Sequence, residues 1–293
     1  MLVLLNGHSI QVTASASSWR KGDQVNSVEV KMLDMLKRGR DEHGIVAVKA
    51  EFEAEGTRPD EFLRLLELGR RADLKVALKI GGCEAVSDLL ASRLYGIDYI
   101  IAPMVETPYA LSKFIEAKDK IYGRVDHATQ FLFNLETETT LRNLDSMVDM
   151  AREGVVGVVF GRVDFTLSRG MARGAINERS ITDAVLRVAT ACAEADLELV
   201  VGGSVSTEAV IALQEIQRIR LDRFETRKLI FTGEAIQSTA IVAGIRNAVE
   251  FELAWLKNKR DYYGAIAAED DKRIAMMETR LAKPEPAVYA RVA

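Results

Sequence analysis

This sequence predicts an α/β fold, a (β/α)8 TIM barrel with an extra C-terminal helix, on three observations. Short apolar runs of 4–7 residues alternate with amphipathic stretches of 10–20. The runs are apolar throughout rather than alternating, the mark of parallel strands covered on both faces. Eight of them fit within 293 residues, a usual size for one barrel. No GxGxxG follows an early run, which argues against the open doubly wound sheet.

In order, the runs are "LVLLN" (2–6), "IVAVKAEF" (45–52), "KVALKIGG" (75–82), "DYIIAP" (98–103), "QFLFNLE" (130–136), "GVVFGR" (157–162), "LELVVGG" (197–203) and "KLIFTG" (228–233). Helical patterns lie between them, such as "RPDEFLRLLELGRRA" (58–72) and "TETTLRNLDSMVDMAREG" (137–154). The first run precedes a long polar segment, so an N-terminal hairpin is the alternative there. After the last run a helical stretch covers about 235–260, and "AAEDDKRIAMMETRL" (267–281) reads as one more helix before an extended tail. The expected division is a barrel over 1–262 and a C-terminal helix and tail over 263–293. That helix either packs on a neighbouring subunit, making a homo-oligomer, or caps its own barrel.

Composition excludes several classes. Hydrophobic residues make up 48% of the chain, enough for a large core. A net charge of −4 and a pI near 5.6 give no basic face for nucleic acid. No apolar run approaches the roughly 20 residues that span a bilayer, and "MLVLLNGHSIQV" lacks the basic start of a signal peptide. Cys83 and Cys192 form no CxxC pair and read as reduced thiols. A soluble cytoplasmic protein is expected.

In a barrel of this kind, chemistry sits at the C-terminal ends of the strands, and here those ends are polar. Lys49, Glu51, Glu53, Glu55 and Arg58 follow one another around the second run. Lys79, Gly81 and Gly82 close the third and Glu106 follows the fourth. Glu136 ends the fifth, Arg162 and Asp164 the sixth, Gly202, Gly203 and Ser204 the seventh, and Thr232, Gly233 and Glu234 the eighth. Runs 130–136 and 157–162 would be neighbouring strands, about 5 Å apart. Carboxylates leaving adjacent tips resist joint ionisation unless a positive charge intervenes. A divalent cation such as Mg²⁺, held by two carboxylates with waters and substrate oxygens, would supply it; Arg162 is the competing source. The alternative is that Glu136 and Asp164 cap or pair with the helices that follow. Lys79 and Arg58 would anchor a small-molecule carboxylate, with Gly81 and Gly82 letting backbone N–H groups approach it. Gly203 and Ser204 lie where barrels often bind phosphate.

Three blocks carry a resemblance: "GIDYIIAPMVETPYAL" (96–111), "FLFNLETETTLRNLDSM" (131–147) and "GVVGVVFGRVDFTLSRGM" (154–171). In order and spacing they resemble the HpcH/HpaI aldolase and citrate lyase beta-subunit family of the phosphoenolpyruvate/pyruvate barrel superfamily. The resemblance implies a homo-oligomeric barrel that binds Mg²⁺ or Mn²⁺, with Glu136 and Asp164 as the matching ligands. The metal would chelate a 2-oxo acid and stabilise an enolate during carbon–carbon cleavage or its reverse. The chain departs from that pattern twice. Lys79 stands where the aldolase branch usually has an arginine, and Phe52 stands where its histidine base would follow Glu51. His8, His43 and His127 read as structural, the last two on the opposite barrel face. The expected roles are therefore catalysis by Glu51, Lys79 and Arg162, with Glu53, Glu55 or Lys79 replacing the base. Arg162 would take the second half of the substrate, and Arg58, Gly81, Gly82, Glu106, Gly203 and Ser204 would line the binding site. Lys79 or Lys49, with a lowered pKa, would alternatively form a Schiff base. Cys83 at a helix start would have a depressed pKa or be a quiet thiol. Two other readings are an acyl-CoA ester lyase of the citrate lyase type and a barrel that has lost the base and only binds.

Overall fold

A computed structural model describes residues 27–123 and 128–283. The expected first run, 2–6, and the histidines His8 and His127 lie outside the described residues. Eight strands nevertheless close a barrel in sequence order: β1 (Ile45–Glu51), β2 (Lys75–Lys79), β3 (Tyr99–Ala102), β4 (Gln130–Leu135), β5 (Gly157–Gly161), β6 (Glu198–Gly202), β7 (Arg223–Glu225) and β8 (Leu229–Thr232). Around them run α1 (Ser27–His43), α2 (Pro59–Arg71), α3 (Val86–Tyr95), α4 (Pro108–Tyr122), α5 (Glu138–Arg142), α6 (Leu144–Ala151), α7 (Arg162–Ser168), α8 (Arg179–Ala195), α9 (Val210–Gln217) and α10 (Ile241–Leu281).

Strands β1 to β7 are parallel, and β8 is antiparallel to both β7 and β1. This corrects the all-parallel expectation. The strand not anticipated is β7, three residues whose single apolar member is the buried Phe224. It turns through residues 226–228 into β8, and Phe224 and Phe231 stack at 4.8 Å across the pair. Because β8 runs backwards, Thr232, Gly233 and Glu234 reach the opposite end of the barrel from the expected site. Thr232 and Glu234 line a hollow there with Lys75 and Tyr99.

Side chains alternate in and out along each strand, and the inward positions build layers. Ala47, Ala77, Ile101, Leu132, Val159, Val200 and Ile230 fill the middle of the barrel. The outward residues form a larger core against the helices. Helix α2 shows how the sequence specifies this. Pro59 opens it, acids Asp60 and Glu61 occupy its first turn and Arg70 and Arg71 its last, which suits the helix dipole. Phe62, Leu65, Leu66 and Leu68 are buried against the barrel, each contributing about 1.5–3 kcal/mol.

The two expected C-terminal helices are one. Helix α10 runs unbroken for 41 residues, so the division at 262/263 falls inside it. Its first half packs on α1 and buries Ile245, Phe251 and Trp255. From residue 264 onward every position of the helix is exposed. No helix among the described residues is long and apolar enough to cross a membrane.

Candidate active site at the barrel mouth

One layer above the apolar middle, the inward positions turn polar. They are Lys49 and Glu51 on β1, Lys79 on β2, Asn134 on β4 and Glu225 on β7, each less than one tenth exposed. The corresponding positions on β5 and β6 are Gly161 and Gly202, which pair in register. The missing side chains leave a cavity of about 390 Å³ at the C-terminal ends of the strands. Carboxylates occupy the room the glycines leave. A Cβ on Gly161 would come within 2.7 Å of Glu136 Oε2, and one on Gly202 within 2.7 Å of Glu225 Oε1.

On the β1/β7 side the charges close on one another. Lys49 Nζ lies 2.5 Å from Glu225 Oε1 and 3.1 Å from Glu51 Oε1. Arg227, on the β7–β8 turn, reaches Glu51 Oε2 at 3.1 Å and Glu55 at 3.8 Å, and Lys228 pairs with Glu55. Burial raises the Glu51 carboxyl, but Lys49, Lys79 and Arg227 outweigh it and hold the group below its ordinary value. Burial likewise opposes the ammonium of Lys79, yet Glu136, Glu53 and Glu51 outweigh it and push its pKa up. Lys49 is raised in the same way by Glu225 and Glu51. Neither lysine is thus the low-pKa amine that Schiff-base formation needs. Burial also raises the Cys83 thiol, which removes the case for a depressed pKa.

The β4–β6 side is more open. Glu136 follows β4 and is 2% exposed. Its Oε1 accepts from the Met104 backbone N–H at 2.9 Å, and its Oε2 from Asn134 at 2.6 Å and Lys79 at 3.4 Å. Thr137 caps α5 through a bond from the Thr140 N–H, so Glu136 is not that helix's cap. Asp164 stands in the first turn of α7, exposed, lining the same cavity. It has no ion-pair or hydrogen-bond partner among the described residues. Glu53 lines the cavity as well, is exposed, and among the described residues its ion pair is with Lys79 at 3.3 Å.

The residues present suit a hard divalent cation. Six carboxylates line the cavity against the four cationic side chains Lys49, Lys79, Arg173 and Arg227, which leaves two negative charges over. Among the described residues, Asn134 Oδ1 and Glu225 Oε2 are buried acceptors with no hydrogen-bond partner. The 2.6 Å contact to Glu136 fixes the amide orientation, since a flipped Asn134 would set oxygen against carboxylate. Among the described residues no group of three or more His, Cys, Asp or Glu forms a closed metal cage. Glu136 and Asp164 are the two acids that would hold such an ion, with waters and substrate completing its shell, as Mg²⁺ is usually held.

The expected residues divide. Glu51, Lys79, Glu136, Asp164, Gly203 and Ser204 line the cavity together. Arg58, Gly81, Gly82, Glu106 and Arg162 do not. Arg58 stands at the N-cap position of α2 without a side-chain capping bond, and its guanidinium lies 4.5 Å over the Tyr263 ring. The Gly81 N–H is committed to Asp88 at 2.7 Å. The backbone oxygen of Glu106 holds Asn143. Arg162 is buried and donates to the carbonyls of Gly202 and Gly203 and to Asn177, and burial lowers its pKa to about 10. It clasps the chain instead of facing a substrate. His43 ends α1 below the barrel, away from the cavity, as expected. Sequence reading missed Glu225, Arg227, Arg173 and Glu252, all of which line the cavity. The signal for Glu225 was its alternation with Phe224; the others reach the mouth only through the tertiary fold.

Residues 82–217 match the family model described as HpcH/HpaI aldolase/citrate lyase, which bears out the resemblance; all three motif blocks fall within that stretch. No curated protein matches the sequence. Among solved structures the fold is shared with an HpcH/HpaI aldolase from Desulfitobacterium hafniense DCB-2, at 12% identity, TM-score 0.52, over 74% of this chain and 88% of that one. It is shared also with an HpcH/HpaI aldolase/citrate lyase family protein from Burkholderia cenocepacia J2315, at 13% identity, TM-score 0.53, over 86% and 90%. The citrate synthase variant SbnG aligns at 13% identity, TM-score 0.50, over 78% and 90%.

Proposed function

We propose, from the match of residues 82–217 to the HpcH/HpaI aldolase/citrate lyase family, that this chain is a divalent-metal-dependent carbon–carbon lyase or aldolase. Its substrate is a small 2-oxo acid, pyruvate- or oxaloacetate-like, and its ion is Mg²⁺ or Mn²⁺. The observation that carries the reading is the pair Glu136 and Asp164 on one cavity, with two lining carboxylates in excess over cations. An ion held there would act as a Lewis acid toward the 2-oxo group and stabilise enolate charge.

The chain's own residues supply the rest. Glu53 replaces the absent histidine: it faces the cavity, and among the described residues its side chain has one charged partner. In the cleavage direction the substrate is a 4-hydroxy-2-oxo acid, the adduct of the 2-oxo acid with an aldehyde, and Glu53 accepts the proton of its 4-hydroxyl. The C3–C4 bond then breaks, an aldehyde leaves, and the electron pair passes to the enolate. The protonated Glu53 returns its proton to C3. Lys79, 3.3 Å from Glu53 and 3.4 Å from Glu136, moves no proton itself but holds positive charge beside both. Glu51, held ionised by Lys49 and Arg227, fixes those cations in place. Proton exchange at C3 of pyruvate in D2O, followed by NMR, tests this reading. Exchange with Mg²⁺ that EDTA abolishes is expected; exchange indifferent to EDTA, or none with any metal, would overturn it.

The exposed half of α10 fits the homo-oligomer reading. Ile266, Ile274, Met277 and Leu281 project into solvent from it, and in proteins most helical stability comes from packing of an apolar face rather than from propensity. A second copy of the chain is the proposed cover. A chain ending at residue 263 should then show, by sizing with light scattering, fewer chains per assembly than the full chain; an unchanged number of chains would exclude it.

A further inference from the structure

Three of the four cations on the cavity wall are already matched. Lys49 is paired with Glu225 and Glu51, Lys79 with Glu53 and Glu136, and Arg227 with Glu51 and Glu55. Arg173 is different: among the described residues no carboxylate lies within ion-pairing distance of it. Its contact is with a hydroxyl, Nη2 donating to Ser204 Oγ at 3.2 Å.

The surroundings hold that pair in place. Arg173 opens the 3-10 turn Arg173–Asn177, and Ser204 follows the end of β6. Both Gly203 and Ser204 have positive φ, +88° and +50°, an unfavourable backbone for serine that turns it toward the mouth. At Gly203 a Cβ would lie 2.7 Å from the Val163 backbone nitrogen, so only glycine allows that approach. Arg162 ties the two segments together, binding Asn177 on one side and the Gly202 and Gly203 carbonyls on the other. A buried arginine thus fixes the two segments that carry Arg173 and Ser204 at the cavity.

We infer that Arg173, with the Ser204 hydroxyl, takes a second anionic group on the substrate, a carboxylate or phosphate at the end remote from the 2-oxo acid. Arg162 is its positioning residue. The inference rests on the 2-oxo acid reading and deepens it: the substrate is a dianion, not a simple monocarboxylate. A guanidinium offers two parallel donors to such a group. With no carboxylate to displace, a ligand gains the pairing without breaking another.

The test is calorimetric binding, with Mg²⁺ present, of three compounds that differ only at the remote end. They are 2-oxobutanoate, with a methyl, oxaloacetate, with a carboxylate, and 3-phosphonopyruvate, with a phosphonate. For the wild type, one or both dianions should bind about tenfold or more tightly than 2-oxobutanoate, a usual size for a charge-assisted pair. The stronger of the two tells carboxylate from phosphate. In Arg173→Gln the preference should vanish while 2-oxobutanoate binds as before. Arg162→Lys, checked for folding by its melting curve, should shrink the preference in the same direction. Equal binding of all three by the wild type, or a preference that survives Arg173→Gln, would overturn the inference and leave the lyase reading standing. Binding of none would overturn both. An Arg173-dependent preference without C3 exchange would uphold the anion site and sink the lyase reading.

Discussion

The two halves of the barrel mouth treat charge differently. On β1, β7 and the β7–β8 turn, Lys49, Glu51, Glu225, Arg227, Glu55 and Lys228 pair with one another in a mostly buried set, with Glu225 Oε2 left over. Past β4, β5 and β6, Asp164 and Arg173 meet no opposite charge among the described residues, and Glu136 meets only Lys79 at 3.4 Å. Charges removed from water must be matched. A closed set therefore fixes the shape and field of a site, whereas an open one awaits a ligand. Density of charged residues, which marks both halves equally in the sequence, does not separate these roles.

Substitutions should separate them. The largest effect on stability belongs to the closed half. Lys49→Ala strands Glu225, while Glu51 keeps Arg227, and should cost about 3–5 kcal/mol in urea unfolding; a loss under 1 kcal/mol would mean that water or rearrangement matches Glu225. Asp164→Ala should do the reverse. Turnover should fall about 100- to 1000-fold, with stability within roughly 0.5 kcal/mol of wild type, as for an exposed residue. Gly161→Ala sits at the seam: its methyl would press on Glu136 Oε2 and Cβ. A loss of about 1–3 kcal/mol is expected from overpacking, together with weakened metal binding, and a silent substitution would show that Glu136 has room to move.

The smallest effect is in pH dependence. The folded Glu51 carboxyl titrates below its ordinary value of 4.5, so its stabilisation is present above that value. It is lost as pH falls through the lower folded pKa. Wild type should consequently lose stability more steeply than Glu51→Gln in acid unfolding below about pH 4.5. Parallel curves would contradict the pairing with Lys49 and Arg227.

Much of the barrel was legible because its strands are continuous apolar runs with charges at their ends. Glu136 and Asp164 could be read from runs 130–136 and 157–162, each stopping near an acid. What was not legible has physical causes. Strand β7 is too short and too charged to stand out, and pairing direction, which reverses at β8, leaves no trace in an apolar run. The break expected between the helical stretches 235–260 and 267–281 holds Gly264, yet one glycine costs a long helix only about 1 kcal/mol, and α10 passes through it. Arg162 looked reactive by position, but its fate depended on carbonyls 40 residues away. Arg173 drew no notice because its distinction, lacking an acid partner, exists only once the fold has matched the other cations.

The proposed function rests on Glu136 and Asp164 completing a divalent-ion site on the open half. Titration of Mn²⁺ followed by electron paramagnetic resonance tests it most directly, in wild type, Asp164→Ala and Glu225→Gln. The account expects one bound ion in wild type, a loss of affinity of at least about tenfold in Asp164→Ala, and a much smaller change in Glu225→Gln. Undiminished Mn²⁺ binding by Asp164→Ala, or no bound ion in wild type, would contradict it.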